Sequence, residues 1–344
     1  QVTAVVRGEG EFTTKELVDA LFNNRELYGI KGLTFYDRGR VNVNPDRELV
    51  DLNELPPPAY HLLPLAEEYD LFSIEESRGC CFKCSFCSIA EMDRPDRLKS
   101  PEKIGLEVEN IVRLGARNID LIGELVLLHE DRALEIADIM EKHGCSWKID
   151  GHPALVVKHR KILPLLAEKG LKVIEIGVES GNQRSLDLLN KQTTPEINEE
   201  AVEATLTTGI FPLIDFINFE PYLTMKDLEE NIRFIMHHLR LLSKAPSYPL
   251  ENIFKPWIPI PGTPLFDLAN GENLVVSTDR GDTTSYLKMR NARHFFIFKD
   301  KKVERVTDLI DYLLKRYGER YSRMLEQVVA VSYTHLTLPT NREV

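Results

Sequence analysis

The sequence predicts an α/β fold, a partial (β/α)6 TIM-like barrel of parallel strands. Three observations carry that prediction. Six short runs of strand character recur between residues 71 and 257, amphipathic helical stretches separate them, and several of those stretches close on glycine, where a helix C-terminus is expected.

In chain order, LFSIEES (71–77) is the first strand and runs into a loop rich in cysteine. Ser100 and Pro101 then read as N-cap and first residue of the helix EKIGLEVENIVRLG. NIDLIG (118–123), SWKIDG (146–151), KVIEIGV (172–178), LIDFINF (213–219) and ENIFKPW (251–257) supply the remaining strands. DRALEIADIMEKHG, KHRKILPLLAEKG, NEEAVEATLTTG and TMKDLEENIRFIMHHL read as the crossover helices between them. Ligands in such folds sit at the C-terminal ends of the strands. That rule selects Asp150, Gly151 and His152 after the third strand as residues facing a cavity, and Asn218, Glu220 and Tyr222 after the fifth as substrate-pocket candidates. No second His or Cys is spaced to join His152 in holding a metal.

Composition bounds the function. The 344 residues, 43% hydrophobic and 28% charged, suffice for one large core or two smaller ones. No apolar run approaches the roughly 20 residues of a membrane span. The N-terminal QVTAVVRGEGEF has neither a basic nor an apolar signal region, so a cytoplasmic protein is expected. Forty-three basic against 54 acidic residues leave a net charge of −11, which argues against a nucleic-acid platform and for a small-molecule substrate.

Four of the five cysteines fall in SRGCCFKCSFCS, residues 77–88. Clustered thiols in a reducing compartment are metal ligands more often than disulfides. Cys81, Cys84 and Cys87 have the C-x2-C-x2-C spacing of a bacterial ferredoxin, but the fourth cysteine of that pattern is missing, because Ser88, Ile89, Ala90 and Glu91 follow. A structural zinc site needs four ligands, and Cys145 stands alone. The other register, Cys80-x3-Cys84-x2-Cys87, offers three thiolates for three irons of a 4Fe-4S cluster and leaves one iron open.

The stretch from Arg78 to Cys87 resembles the signature of the radical S-adenosylmethionine (SAM) enzymes. The resemblance implies that Cys80, Cys84 and Cys87 hold the cluster and that SAM chelates the open iron and is cleaved to a 5′-deoxyadenosyl radical. It places Phe86 near the adenine and makes Cys81 a bystander. Gly123-Glu124 corresponds to part of the Gly-Gly-Glu-like element that receives the SAM amino group. Glu179-Ser180-Gly181, in IGVESGNQ, is similar to the G-x-E-S-G element of the SAM pocket. The Pro-Gly-Thr-Pro-Leu run in FKPWIPIPGTPLFD resembles the segment after the sixth strand. A reductant such as flavodoxin or ferredoxin is implied as partner.

The resemblance covers about residues 5 to 265 and extends upstream of the barrel. Gly8-Glu9-Gly10-Glu11 and LPPPAYHLLPL (55–65) are similar to the end of the Rossmann-like cobalamin-binding domain, and to the linker after it, in one large radical SAM group. The Asp-x-His-x-x-Gly element that supplies a cobalt ligand in many such domains does not occur here. The expected organisation is a remnant of that domain (1–45), a Pro-rich linker (46–68), the core barrel (69–265) and a helical region (266–330). Residues 331–344 resemble a translated sequencing adapter, and a fragment of a longer gene is expected. The implied activity is cobalamin-dependent methyl transfer to a small-molecule substrate. The alternatives are a radical cyclase or oxidoreductase and, from another class, an iron–sulfur electron carrier or a zinc-binding scaffold. A methylthiotransferase is disfavoured, since no second cysteine trio lies upstream.

Overall fold

The computed structural model describes residues 3–63, 68–91, 95–123, 126–242, 255–276 and 295–309, with Tyr312 and Arg316. Glu124, most of the sixth strand candidate and residues 331–344 lie outside the described residues. The chain divides into two units at Pro57/Pro58, within the stretch read as a linker.

In the first unit, β1 (Ala4–Val6), β2 (Leu33–Asp37) and β3 (Arg40–Val43) form an antiparallel sheet in that order, with α1 (Glu11–Phe22) following β1. Ala20, Ile30, Leu33 and Phe35 form its small core. Glu9 of the Gly-Glu-Gly-Glu run accepts a hydrogen bond from Val50 N at 2.8 Å, tying the run to the segment that leaves the sheet.

The second unit is the α/β layer. Five strands lie side by side in chain order: β4 (Leu71–Glu75), β7 (Asn118–Ile122), β8 (Ser146–Gly151), β9 (Leu171–Glu179) and β10 (Phe211–Phe216). Every neighbouring pair is parallel. A sixth position is marked by one parallel bridge, Phe219 to Pro256. A two-residue antiparallel pair, β5 (Ser77–Arg78) with β6 (Arg97–Leu98), flanks the cysteine loop, which leads into the short α2 (Ser88–Glu91).

The crossover helices are α3 (Pro101–Arg113), α4 (Glu130–Lys142), α5 (Pro153–Lys158), α6 (Leu163–Glu168), α7 (Gln183–Leu188), α8 (Pro195–Thr207) and α9 (Met225–Leu242); α10 (Pro264–Gly271) follows the bridge. Ser100 caps α3 by accepting from Lys103 N, as its position before Pro101 predicts. The stretch 158–170, expected as one helix, is instead the end of α5 and a separate α6. Pro164 stands in the first turn of α6, where its missing N–H costs nothing, and its ring blocks a helical turn before it. Gly170 (φ +95°) then turns the chain into β9; a Cβ there would lie 2.4 Å from the Cys145 carbonyl oxygen.

The strands show two unlike faces. Trp147 and Ile149 on β8, and Ile174, Ile176 and Val178 on β9, are buried against Ile104, Val108, Ile136 and Met140 of the helices. The alternate residues Lys148, Asp150, Glu175 and Gly177 point the other way. A second apolar core gathers Phe219, Leu223, Trp257, Leu265, Phe295, Phe296 and Phe298, with Phe86 packed against it. Among the described residues no helix is long and apolar enough to cross a membrane.

Candidate active site

The cysteine loop starts from a root held by buried charge. Fully buried Glu76 pairs with Arg132 of α4 at 2.7 Å and accepts from Ser77 Oγ at 2.6 Å. Arg132 Nη2 also donates to the carbonyls of Glu76 and Lys99, each at 3.0 Å. Gly123, at the end of β7, has φ +145°, and a Cβ there would approach Ser77 Oγ to 2.4 Å and Glu76 Oε1 to 2.5 Å. Only glycine fits that conformation and that approach.

Beyond the root, distant segments fix the loop. Ser85 N donates to Leu189 O at 2.9 Å, Ser85 Oγ to Leu188 O at 2.7 Å, and Leu265 N to Ser85 O at 2.9 Å. The Asn190 amide donates to Lys83 O. Phe82 stacks on His152, ring centroids 3.6 Å apart and planes 7° from parallel. Cys80, Cys84 and Cys87 thereby line one pocket with Phe82, Phe86 and Ile89. Cys81 is exposed and outside the lining, and Cys145 is buried in the helix-side core, where desolvation pushes its thiol pKa up.

The strand ends form the other wall: Asp150, Gly151 and His152 of β8, Glu175, Gly177 and Glu179 of β9, Asp215 of β10, and Lys191. Glu179 has φ +61°, unusual for a residue with a Cβ, where the β9–β10 register shifts at Asp215/Phe216. Such a conformation costs on the order of 1–3 kcal/mol and persists where the surroundings enforce it. Here Ile217 N donates to Glu179 O at 2.9 Å and Lys191 Nζ to Glu179 Oε1 at 3.2 Å.

Ser180 and Gly181 lie beside Glu179 but outside the lining. Ser180 Oγ and Gly181 N both donate to Asn231 Oδ1, at 2.7 and 2.9 Å, and Asn198 Nδ2 donates to the carbonyls of Val178 and Ser180. A Cβ at residue 181 would lie 2.4 Å from Phe234 Cβ, so glycine serves the close packing of α9. Asn218 and Glu220 are fully buried and Tyr222 partly so; all three are outside the lining. Asn218 Oδ1 accepts from Asn231 Nδ2 at 3.1 Å, and Glu220 accepts from Tyr222 N at 2.5 Å. Burial pushes the Glu220 carboxyl up to about 7.

Glu175, Lys191 and Asp215 of the lining, and the charged residues paired with the strand-end carboxylates, were not singled out from the sequence. Lys148 Nζ bridges Glu175, Asp120 and Asp150 at 2.7, 3.3 and 3.4 Å, and Lys255 pairs with Asp215 at 2.6 Å. Burial alone would lower the Lys148 pKa, but the three carboxylates outweigh it and raise it. Burial, followed by the hydrogen bond with Asp215, pushes Glu175 up to about 7. The available signal was at least one charged residue at the same alternating phase in NIDLI, SWKID, VIEIG and LIDF, where a fully packed barrel interior would be apolar.

His152 uses both ring nitrogens: Nε2 donates to Lys191 O at 2.8 Å and Nδ1 accepts from Ala154 N at 3.2 Å, capping α5. Burial, then the Lys191 charge, pushes its pKa down to about 3. Between about pH 6.5 and 3 the unfolded chain therefore binds a proton that the folded chain refuses, and stability falls as pH falls through that window. The urea midpoint of the apoprotein is expected to drop more between pH 7 and pH 5 than that of His152→Gln. Equal drops would show that His152 titrates normally.

Comparison with known proteins agrees with this geometry. Residues 74–235 match the family model of the radical SAM superfamily. The chain is 30% identical, over 91% of its length and 68% of the relative's, to a protein named uncharacterized methyltransferase PH0819 of Pyrococcus horikoshii. It is 28% identical, over 67% of its length and 44% of the relative's, to the anaerobic magnesium-protoporphyrin IX monomethyl ester cyclase of Rubrivivax gelatinosus. The solved structure of OxsB, a cobalamin-dependent S-adenosylmethionine radical enzyme, superposes with TM-score 0.73 at 22% identity, over 92% of this chain and 51% of that one. The cysteine loop at the strand ends, the parallel α/β layer and these similarities together establish that the chain belongs to the radical SAM superfamily of enzymes.

Proposed function

We propose that this chain cleaves SAM reductively at a 4Fe-4S cluster held by Cys80, Cys84 and Cys87, in the service of cobalamin-dependent methyl transfer to a small-molecule substrate. The observation that carries the reading is the sorting of the cysteines: these three line one pocket with Phe86 and Glu179, and Cys81 does not. Three soft thiolates on one short loop suit iron–sulfur ligation, and the missing fourth leaves a coordination position open. When bound, such a cluster supplies the electron for SAM cleavage.

The protein's own contribution is positioning. Phe86 offers an apolar wall for the adenine, and the Glu179 carboxylate, held in place by Lys191, can accept hydrogen bonds from the amino group or ribose hydroxyls of SAM. Gly123 and Glu124 are assigned to the SAM amino group from their motif alone, Gly123 being outside the pocket lining, and Ser180 and Gly181 fix the backbone beneath Glu179. The charged lumen of Asp150, Glu175 and Asp215, the first two paired with Lys148, would orient a polar substrate against the cysteines. Methyl transfer is supported by the name of the Pyrococcus relative and by the likeness of Gly8–Glu11 and the Pro-rich linker to the end of a cobalamin domain. The Rubrivivax cyclase supports the second reading, a radical cyclase or oxidoreductase.

The test is anaerobic reconstitution with iron and sulfide, then dithionite, SAM and hydroxocobalamin, with mass-spectrometric assay of 5′-deoxyadenosine and S-adenosylhomocysteine. Both products are expected. The first alone transfers the assignment to the second reading. Neither, from protein with a full cluster, overturns the proposal, and zinc bound without sulfide would indicate a scaffold.

A further inference from the structure

A second group of metal-ligating side chains lies apart from the cysteines, on the helices that follow β9 and β10. Glu199 of α8 and His237 and His238 of α9 each place one ligand atom within 4.8 Å of the other two. His237 Nε2 is 3.2 Å from Glu199 Oε1. His238 is 2% exposed, stacks obliquely on Phe234 at 4.2 Å, and donates from Nδ1 to Phe234 O at 2.9 Å. Its Nε2 is buried without a hydrogen-bond partner among the described residues.

We propose that Glu199, His237 and His238 bind a zinc-type divalent ion that clamps α8 to α9.

A surface ion pair accounts for His237 and Glu199 but leaves the His238 nitrogen orphaned, and a buried polar atom without a partner costs about 1–3 kcal/mol. An ion removes that cost. The Nδ1–H bond to a backbone carbonyl leaves the lone pair on Nε2, the arrangement that orients most metal-bound imidazoles. Donors held at about 2.0–2.1 Å around a tetrahedral ion lie roughly 3.3 Å apart. The His237–Glu199 pair already meets that spacing, and His238, with a ring nitrogen within 4.8 Å of both, must move its side chain to close the triad. Two imidazoles and a carboxylate select zinc, cobalt or nickel over magnesium or calcium. The fourth position falls to water or to Glu203, one helical turn beyond Glu199. About two turns earlier on α9 stands Asn231, which holds the Ser180–Gly181 turn, so the ion would brace the helix that supports the Glu179 backbone.

The experiment uses the full chain reconstituted with iron and sulfide, so that the thiolates are occupied. Zinc is titrated against a chromophoric chelator, and cobalt binding is followed by visible absorption. One zinc per chain beyond the cluster is expected, weakened at least about 10-fold in both His238→Ala and Glu199→Gln, with cobalt d–d bands and no thiolate charge-transfer band. Glu199 is only partly buried, so Glu199→Gln preserves the test if His238→Ala misfolds by circular dichroism. No additional zinc, unchanged affinity in a folded variant, or a cobalt–thiolate band overturns the assignment.

Discussion

Replacing Cys84 with alanine is expected to remove the cluster: iron and sulfide fall from about four of each per chain toward zero, and 5′-deoxyadenosine formation drops at least about 100-fold. Cys84 is the buried member of the trio and the centre of the loop's turn, where Cys87 N donates to Cys84 O at 3.2 Å. Cys81→Ala is the informative partner, because that side chain is exposed and outside the pocket. It should keep the cluster and the activity. Loss in Cys81→Ala together with retention in Cys80→Ala would shift the ligand set to Cys81, Cys84 and Cys87, the ferredoxin-like register, and sink the present one.

The second large effect is on stability. Arg132→Met removes the partner of a fully buried carboxylate, since Glu76 pairs with Arg132 at 2.7 Å and is closed in by Ser77 and by the close approach of Gly123. Breaking a buried pair from one side costs about 3–5 kcal/mol, because the remaining charge stays in the interior. The urea midpoint of the apoprotein should fall accordingly, and cluster loading should fall with it, as Glu76 roots the cysteine loop. Adding Glu76→Gln to Arg132→Met removes the stranded charge and should restore much of the loss. An unfolding free energy within about 1 kcal/mol of wild type in Arg132→Met would mean that water reaches Glu76 in the native state.

Elements were legible in the sequence where the signal is local. Ser100-Pro101 marks the start of α3, and the three cysteines grouped by their spacing, Cys80, Cys84 and Cys87, line one pocket. Pro164 could have divided the stretch 158–170 in advance, and its meaning was masked by the apolar residues on either side. What was not legible is long-range. The partners that hold Ser180 and Gly181, Asn231 and Phe234, stand some fifty residues later in the chain. Lys191 reaches Glu179 only after α7 has folded back over the strand end, and Lys148 meets three strands at once. No spacing rule announces such meetings.

The two faces of the sheet carry different selective loads. The strands are held by the apolar layer beneath the helices, so fold stability is charged to Ile149, Ile174, Ile176 and their partners. Asp120, Asp150 and Glu175 are tied together through Lys148, and Asp215 pairs with Lys255, so these residues hold one another by ion pairs and contribute little apolar packing. A lineage can therefore exchange lumen residues in compensating sets while the scaffold stands, and change what the cavity accepts without rebuilding the barrel that presents it.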